Sequence, residues 1–450
     1  MNSEIERQSS RRPPWWQAAL VSAVTGLSFL VIYNGCNWIT KLRPAVQTAA
    51  FGWETMIPVV PWMIVPYWSL DAFFVVAPFL CRNKADLRLL ARRLVLANVL
   101  CGLCFLIIPL ELAWARPKVE GMFAGWFAAI QGMDAPHNLF PSLHIVLRTV
   151  LAVHYARHSR GVARFLSHVW FSLIGISTLL TWQHHLVDVL GGFLLAAVIF
   201  HITPGTAVKA ETNKRLGVYY AAAAVLLLFC ARLAPPWSLL LAWPAAALGT
   251  VAAAYFGAGA AVLGKRQGQL SFWTRWLLAP WLFGQWLSWK HYRKQSAPWD
   301  ELTPRVWMGA LPDEATARRL LAGGVTHVLD LTVEFEAPKA FRELPGYRNV
   351  AVSDLTAPTR EQLAEAVEFI EGGQHEGIVF VHCKAGYSRT AAAAGAWLML
   401  CQGLSTDEAI RRMREARPGM IIRHEVAGAL TALEQDVATS IQPPLRTPAV

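Results

Sequence analysis

Residues 378–390 read Ile-Val-Phe-Val-His-Cys-Lys-Ala-Gly-Tyr-Ser-Arg-Thr. An apolar run comes first, a short loop that contains a glycine follows, and an alanine-rich stretch typical of a helix continues to about residue 400. We therefore predict a short buried strand, a tight loop and a helix, in that order. Such a turn points backbone N–H groups and the positive end of a helix dipole at one place, which favours anion binding.

Cys383 begins this loop and Arg389 closes it. A thiol in a positive field ionises readily, so Cys383 is predicted to be a nucleophile near neutral pH. The planar guanidinium of Arg389 matches two phosphate oxygens. Ser388 is expected to donate a hydrogen bond to the cysteine sulfur, and His382 to support the loop rather than react. The predicted phosphate-binding residues inside the loop are Lys384, Ala385, Gly386 and Tyr387.

A candidate acid lies upstream, at Asp354 in the sequence Val-Ser-Asp-Leu. Together with His-Cys-x-x-Gly-x-Ser-Arg-Thr, it resembles the signature of the dual-specificity branch of the protein tyrosine phosphatase superfamily. The resemblance implies an α/β fold with a central sheet and a cysteinyl-phosphate intermediate. It assigns Asp354 as the general acid that protonates the leaving oxygen. The alternative is a structural cysteine in an α/β domain with a surface aspartate.

The composition indicates a membrane protein. Of the 450 residues, 54% are hydrophobic and only 16% are charged, and the length allows two or three domains. Twenty tryptophans and a net charge of +11 fit a membrane with cationic flanks. No stretch resembles a nucleic-acid-binding motif, so we predict no nucleic acid partner. The seven cysteines show neither disulfide nor zinc spacing, and we predict no cofactor and no metal.

Eight apolar stretches are predicted to span the membrane. They cover residues 16–36, 62–81, 94–112, 140–157, 165–183, 185–204, 217–234 and 237–260. Alternate connections are rich in Lys and Arg, including Arg7, Arg11, Lys209, Lys265 and Arg266, which places them and both termini in the cytoplasm. We therefore expect a multi-pass protein of a bacterial inner or plasma membrane with a cytoplasmic phosphatase domain.

The predicted domain organisation has five parts. They are a basic N-terminal arm (1–15), a polytopic membrane domain (16–264, with its core at about 60–205), a bridge rich in Trp and Arg (265–300), a phosphatase domain (301–437) and a disordered tail (438–450). The bridge is predicted to be a helical pair lying in the headgroup layer, because aromatic and basic residues alternate in it. The alternative is a linker whose tryptophans pack on the soluble domain.

Local patterns predict the elements of the phosphatase domain. The expected strands cover residues 306–310, 327–331, 349–353 and 378–381, and the expected helices cover 314–321, 359–370 and 423–435, with a further helix after Ser405.

The membrane half carries a second group of polar residues. Phe-Pro-Ser-Leu-His ends at His144, and His-His-Leu-Val-Asp runs from His184 to Asp188. The charge pattern places both on the outer side of the bilayer, where ionisable residues are costly and therefore indicate a site. Asp188 lies one helical turn from His184, so its carboxylate can select the imidazole tautomer. His144 is then a candidate acid, and Ser142 a candidate phosphate ligand.

These residues resemble the second and third motifs of the type 2 phosphatidic acid phosphatase superfamily, over about residues 60–205. Pro-Ser-Leu-His is similar to its inositol-phosphorylceramide-synthase-like branch. The resemblance implies that His184 is the nucleophile, Asp188 its partner and His144 the acid. The alternative is a decayed site in which these residues are structural.

Two departures from that pattern concern phosphate binding. The first motif keeps Arg116 but has Pro109 at its lysine position, and Thr178 occupies the place of an expected arginine. Arg148 is a candidate substitute phosphate ligand. The alternative for Arg148 is a buried ion pair with an acid such as Asp71.

The two halves together predict an enzyme that acts on phospholipid phosphates with two chemistries, and an anionic phospholipid as its partner. The extra cation Lys384 suits a highly anionic headgroup, although a solvated surface lysine is the alternative. A second hypothesis is a membrane-anchored protein tyrosine or dual-specificity phosphatase. A third, a binding module with an inactive cysteine domain, is disfavoured because Cys383, Arg389 and Asp354 are all present.

Overall fold

The computed structural model describes residues 12–133, 137–204, 212–295 and 297–441. Its contacts divide the chain into two compact units. The first unit comprises Met1–Gly205 and Ala221–Thr250, and the second comprises Thr206–Tyr220 and Val251–Val450. Several residues used in the charge argument, namely Arg7, Arg11 and Lys209, lie outside the described residues.

Helices dominate the described chain before residue 254. They are α1 (Trp15–Lys41), α2 (Ile64–Val76), α3 (Lys84–Ile107), α4 (Ala124–Met133), α5 (Leu143–His158), α6 (Gly161–Leu180), α7 (Leu186–Ile202), α8 (Lys214–Cys230) and α9 (Ala242–Ala253). Two short parallel strands, β1 (Gln47–Thr48) and β2 (Leu110–Glu111), accompany them. Many large apolar side chains on these helices are exposed, such as Leu27 and Val31 of α1, which fits helices that face lipid.

Five helical stretches in the described residues are long and apolar enough to cross a membrane. They are Trp15–Lys41, Pro61–Leu80, Lys84–Ile107, Gly161–Leu180 and Trp237–Ala258. The other three predicted spans contain α5, α7 and α8, which have 16 or 17 residues. Each predicted stretch therefore holds a helix, while the count of eight spans stays a prediction.

Helix α3 begins earlier than the predicted boundary at residue 94. Asn83 caps it, since its side chain accepts a hydrogen bond from the N–H of Asp86. The first turns carry Lys84, Arg88 and Arg92, and hydropathy alone excludes such residues from a span. The first turns of α3 are therefore charged, and a boundary predicted from apolar residues alone does not include them.

The second unit is built around one five-stranded sheet. Its strands are β5 (Trp299–Thr303), β6 (Val306–Ala310), β7 (Val325–Asp330), β8 (Gly346–Asn349) and β9 (Ile378–Cys383), in the spatial order β5-β6-β9-β7-β8. Only β5 is antiparallel to its neighbour. Strand β9 is central and almost wholly buried, as expected for an apolar run in a parallel sheet. Its carboxyl end is where such folds place a site.

Helices and one hairpin surround this sheet. They are the hairpin β3–β4 (Lys265–Arg266 with Gln269–Leu270) and the helices α10 (Phe272–Tyr292), α11 (Glu314–Ala322), α12 (Lys339–Arg342), α13 (Arg360–Glu376), α14 (Ser388–Gln402), α15 (Thr406–Ala416) and α16 (His424–Ile441). Capping boxes begin α13 and α15, at Thr359 with Gln362 and at Ser405 with Glu408, where the sequence predicts helices.

Two predicted boundaries in this unit are wrong, and one strand was not predicted. The strand expected at 349–353 is β8, which ends at Asn349; the buried Val350 and Val352 that suggested it lie just beyond. Helix α16 continues to Ile441, past the predicted start of the tail at 438, and residues 442–450 lie outside the described residues. Strand β5 was not predicted, because its sequence Trp-Asp-Glu-Leu-Thr lacks an apolar run.

The bridge is also different from the predicted helical pair. It contains the β3–β4 hairpin and one continuous helix, α10. Lys265, which the charge argument treated as a hydrated loop residue, has a side chain of 0% exposure. Its Nζ lies 2.6 Å from Oδ2 of Asp330 and also donates to Thr332. This lysine is therefore a core residue of the second unit.

Candidate active sites

The cysteine loop joins β9 to α14 at the carboxyl end of the sheet. Cys383 is the last residue of β9, and both it and Arg389 are buried. Gly386 has a φ of +69°, and a Cβ at this position would lie 2.5 Å from the carbonyl carbon of Gly309. The loop thus passes close to the end of β6, and only glycine permits this conformation and approach.

Arg389 is held by a carboxylate that the sequence patterns missed. Its Nη1 lies 3.0 Å from Oε2 of Glu334, and its Nη2 lies 2.6 Å from Oε1. Nη1 also donates to the carbonyl oxygens of Leu331 and Val352. Burial opposes the charge of the guanidinium, but Glu334 and Asp354 outweigh it and raise the pKa of Arg389 above its ordinary value. Glu334 belongs to no motif; the only sequence signal is that a buried arginine needs a carboxylate.

Asp354 lies against the loop, as a general acid must. Its Oδ2 is 2.6 Å from Nζ of Lys384, and its Oδ1 is 3.2 Å from Nη2 of Arg389. Burial opposes ionisation of this carboxyl, but the two cations outweigh it and lower the pKa of Asp354. A phosphate group that binds Arg389 and Lys384 competes for the same cations. Its arrival therefore favours protonation of Asp354, the state in which a carboxyl can donate a proton.

Lys384 is not the solvated lysine of the alternative interpretation. Its side chain is 10% exposed, and Nζ also donates to Oε1 of Gln285 at 3.1 Å. Gln285 lies on α10, where Trp289 donates to the carbonyl of Leu311 at 3.0 Å. Leu311 in turn donates to the carbonyl of Cys383 at 2.7 Å. Helix α10 thus packs beside the cysteine loop.

The hydroxyl predicted for the cysteine sulfur points elsewhere. Ser388 donates to the carbonyl of Ile421 at 2.9 Å, so its predicted role is not what the structure shows. The next hydroxyl along the helix belongs to Thr390, which is fully buried. Its Oγ1 has no hydrogen-bond partner among the described residues, which makes Thr390 the better candidate.

His382 lies under the loop in a position that suits support rather than reaction. Its ring is fully buried and stacks on Phe380. Burial above all lowers the pKa of His382 to about 4. In the neighbouring carboxyl of Asp330 burial opposes ionisation, but Lys265 outweighs it and lowers the pKa of Asp330 to about 2. Tyr347 donates to the same carboxylate at 2.7 Å, which completes a buried polar network.

The first unit brings its two predicted motifs together. The N–H of Ser142 donates to the carbonyl of Asp188 at 2.9 Å, which joins the start of α5 to the start of α7. Nδ1 of His184 lies 3.6 Å from Oδ2 of the fully buried Asp188. His144 stacks on Tyr67 with ring centroids 4.1 Å apart. The hydroxyl of Ser142 accepts from the N–H of Ile145, so part of its role is to cap α5.

Neighbouring residues of this group were not predicted. Glu54 is buried, accepts from the N–H of Leu186 at 2.8 Å and lies 3.7 Å from Nδ1 of His185. At the position of the missing arginine, the carbonyl of Thr178 accepts from the N–H of His184 at 3.2 Å. Thr178 therefore helps to hold the turn that carries the candidate nucleophile.

Arg148 does not form the ion pair with Asp71 that was the alternative to phosphate binding. Its Nε donates to the carbonyl of Phe171 at 2.6 Å, and its guanidinium lies over the ring of Phe193. Among the described residues no ion pair joins it to Asp71. Its role as a phosphate ligand stays a prediction.

One further group in the first unit has the donors of a metal site. Ligand atoms of Cys81, Asp86 and His154 lie within 4.8 Å of one another. Arg93 and Arg157 line a cavity together with Asp86 and His154, and the positive charge of the two arginines opposes cation binding. We assign this group no role.

A buried cysteine and arginine on a strand–loop–helix turn, with an aspartate against them, define the class of cysteine-dependent phosphatases. The family described as "Dual specificity phosphatase, catalytic domain" matches residues 306–436, and the family described as "PAP2 superfamily" matches residues 58–202. Both resemblances seen in the sequence are confirmed. The chain belongs to the dual specificity phosphatase family, carries a PAP2-superfamily domain, and is a phosphoric monoester hydrolase.

Individual relatives cover part of this chain. The Rattus norvegicus protein "Phosphatidylglycerophosphatase and protein-tyrosine phosphatase 1" is 32% identical over 143 residues, which are 30% of this chain and 74% of the relative. The Mus musculus "Dual specificity protein phosphatase 2" is 29% identical over 30% of this chain and 43% of the relative. The crystal structure of PTPMT1 in complex with PI(5)P is 24% identical, with a TM-score of 0.30, and the match covers 32% of this chain and 100% of that chain.

Proposed function

We propose that this protein is a multi-pass membrane phosphatase that hydrolyses phosphomonoesters on phospholipid headgroups. In the first step the thiolate of Cys383 attacks phosphorus, the bond from phosphorus to the leaving oxygen breaks, and Asp354 donates its proton to that oxygen. In the second step water attacks the cysteinyl phosphate, phosphate leaves, and the sulfur returns as thiolate. Arg389 and the loop N–H groups bind the phosphoryl oxygens in both steps.

The observation that carries this proposal is the two-sided character of α10. One side contacts the catalytic loop through Gln285 and packs under Leu311 through Trp289. The opposite side exposes large apolar residues, namely Phe272, Trp273, Trp276, Phe283, Trp286 and Leu287. Exposed aromatic residues of this kind favour the membrane interface. A headgroup phosphate would then meet the catalytic loop close to the surface that binds the lipid.

The competing function is a membrane-anchored protein tyrosine or dual-specificity phosphatase. The rat relative supports both classes of substrate, because its name contains a lipid phosphatase and a protein phosphatase. The chemistry at Cys383 is the same for both. The two functions differ in whether activity depends on contact between α10 and a bilayer.

An assay with two substrate classes separates these functions. The purified protein, reconstituted in bilayers, is given vesicles containing phosphatidylglycerol phosphate or phosphatidic acid, and separately a phosphotyrosine peptide. Replacing both Trp273 and Trp276 by serine should reduce phosphate release from lipid about tenfold or more, because each lost aromatic side chain weakens interfacial binding. Release from a soluble aryl phosphate should not change. Trp15→Ser, at a similarly exposed tryptophan of the first unit, is the control. Turnover of peptide without turnover of lipid would favour the competing function.

For the first unit we propose a second, histidine-based lipid phosphatase or phosphotransferase site. His184 would be the nucleophile, Asp188 its orienting partner and His144 the acid. The contacts that support this proposal are the 3.6 Å approach of His184 to Asp188 and the hydrogen bond that joins the two motifs. His144 Nε2 is buried and has no hydrogen-bond partner among the described residues, so it is available to a ligand.

A protein that lacks Cys383 tests this second site. In a Cys383→Ser background, any remaining turnover of lipid phosphate or headgroup transfer should disappear when His184→Ala is added. The exposed His168 offers a matched control, since His168→Ala on α6 should leave that activity intact. Remaining turnover that survives His184→Ala would show that the group is structural.

We also propose the predicted location, a bacterial inner or plasma membrane with the phosphatase domain in the cytoplasm. Lys and Arg in the alternate connections support this orientation. Lys265 no longer contributes to that argument because its charge is buried. The five long apolar helices and the PAP2-superfamily domain support membrane integration.

A further inference from the structure

The segment that carries Asp354 has an unusual backbone conformation. Leu355, the next residue, has a φ of +60°, in the left-handed region. This conformation costs a residue other than glycine about 1 kcal/mol or more, so it persists only where neighbouring groups hold it. The segment lies between Val352 and α13, outside regular secondary structure. Within the segment, the hydroxyl of Thr356 donates to the carbonyl of Ser353 at 2.9 Å, and further contacts come from elsewhere in the chain.

Two side chains from earlier in the chain hold this segment. The hydroxyl of Tyr255 donates to the carbonyl of Asp354 at 2.8 Å. Nδ2 of Asn213 donates to the carbonyl of Leu355 at 2.9 Å. The carbonyl groups of two consecutive residues, the candidate acid and its neighbour, are thus both bound by side chains from earlier in the chain.

The two donors are themselves held in place. The N–H of Asn213 donates to the carbonyl of Tyr255 at 3.1 Å, and Oδ1 of Asn213 accepts from Leu216 and caps α8. Tyr255 is 4% exposed, and its ring stacks on Tyr220 with centroids 5.7 Å apart. It lies in the π-helical turn Ala254–Ala258, in which Gly257 has a non-helical φ of +116°. Such turns are frequent at functional sites. Both donors are therefore preorganised.

We propose that Tyr255 and Asn213 are positioning residues for the general acid Asp354. Tyr255 binds the backbone carbonyl of Asp354, and Asn213 binds that of the next residue, Leu355. Neither hydrogen bond goes to the carboxyl group, so the two residues act by fixing where that carboxyl lies. A displacement of about 1 Å is enough to take a proton donor out of line with the leaving oxygen. Both residues precede the segment 306–436 that matches the phosphatase family. The inference rests on the proposed function, in which Asp354 is the acid.

A positioning role for the general acid is detected by comparing kcat for substrates with different leaving groups. An alkyl phosphate needs a proton in the transition state, while an aryl phosphate with an acidic phenol does not. In the full-length protein, Tyr255→Phe should lower kcat for an alkyl phosphate about tenfold and change kcat for the aryl phosphate less than about twofold. Asn213→Asp should act in the same direction, because it keeps the cap of α8 and removes the Nδ2 donor. The KM values should stay unchanged.

The control is Tyr155→Phe. Tyr155 also donates its hydroxyl to a backbone carbonyl, that of Phe73 at 2.9 Å, but in the first unit. It should change neither substrate's kcat. Thermal unfolding of all variants shows whether Tyr255→Phe lowers stability more than this matched loss of one hydrogen bond.

Asp354→Asn and Cys383→Ser distinguish a failure of the proposed function from a failure of the positioning role. If Cys383→Ser stays active on the aryl phosphate, or Asp354→Asn slows both substrates equally, the proposed chemistry at Cys383 fails. If Asp354→Asn is selective for the alkyl phosphate but neither Tyr255→Phe nor Asn213→Asp shows that selectivity, the positioning role is wrong and the proposed function stands. Selectivity in all three variants supports the inference.

Discussion

Replacement of Cys383 by serine is expected to lower phosphate release from an aryl phosphate to less than about one thousandth of the wild-type rate. A serine hydroxyl fills the same space at the end of β9, but it is not ionised near neutral pH and cannot attack phosphorus. The unfolding temperature should stay unchanged, because the site is buried and the two side chains are similar in size. Phosphate release is measured with purified full-length protein.

The matched control is Cys401→Ser, at an exposed free cysteine of α14. It should retain full activity, since Cys401 lies at the far end of the helix that begins at Ser388. If Cys383→Ser retains more than a trace of activity and releases phosphate at the same rate as Cys401→Ser, the nucleophile has been assigned to the wrong residue.

Replacement of Lys265 by methionine is expected to destabilise the second unit by about 3–5 kcal/mol, because it leaves the carboxylate of Asp330 buried without its cation. Both side chains are 0% exposed, and their charged atoms lie 2.6 Å apart. For a unit of this size, the loss corresponds to a decrease of roughly 10 °C in unfolding temperature. Loss of phosphatase activity on heating reports this transition.

Lys339→Met provides the surface comparison. Lys339, the first residue of α12, pairs with Glu343, which caps the end of that helix. The two side chains are 69% and 66% exposed, and the expected loss is about 0.5 kcal/mol or less. A second change, Asp330→Asn, should restore much of the stability of Lys265→Met, because it removes the buried charge and keeps an acceptor for Tyr347. If the two changes are simply additive, the pairing of charges is not the source of the effect.

The strand, loop and helix around Cys383 were predictable because every signal for them is local. The apolar run from residue 378 defines the strand, Gly386 permits the positive φ of the loop, and the alanines after Arg389 favour the helix. Asp354 lies far from the loop in sequence, and only its family resemblance indicated that it would reach Lys384 and Arg389.

The residues that support the site were not predictable in the same way. Glu334 and Lys265 carry ordinary charges in segments without a motif, and most such residues are hydrated on the surface. Whether each is buried depends on a partner that the fold brings from a distant segment: 55 residues away for Glu334 and Arg389, and 65 for Lys265 and Asp330. Counting charges along the chain treats every lysine as hydrated and therefore misplaced Lys265.

The hydroxyl predicted to bind the sulfur of Cys383 shows a smaller error of the same kind. Ser388 and Thr390 lie two residues apart at the start of α14, where successive side chains point in different directions. Ser388 is the predicted donor to the sulfur, but its hydroxyl donates to the carbonyl of Ile421. The direction of each side chain from the helix decides between them.

The burial of Lys265 limits where recombination or deletion can divide the gene without loss of stability. The segment that matches the phosphatase family starts at residue 306, but the cation that neutralises its Asp330 is encoded 41 codons earlier, at 265. A recombination junction or deletion between those points would deliver a catalytic domain with an unbalanced buried charge. The fusion of the two domains is therefore difficult to reverse: the phosphatase portion cannot be exchanged as a free-standing module unless Lys265 is transferred with it.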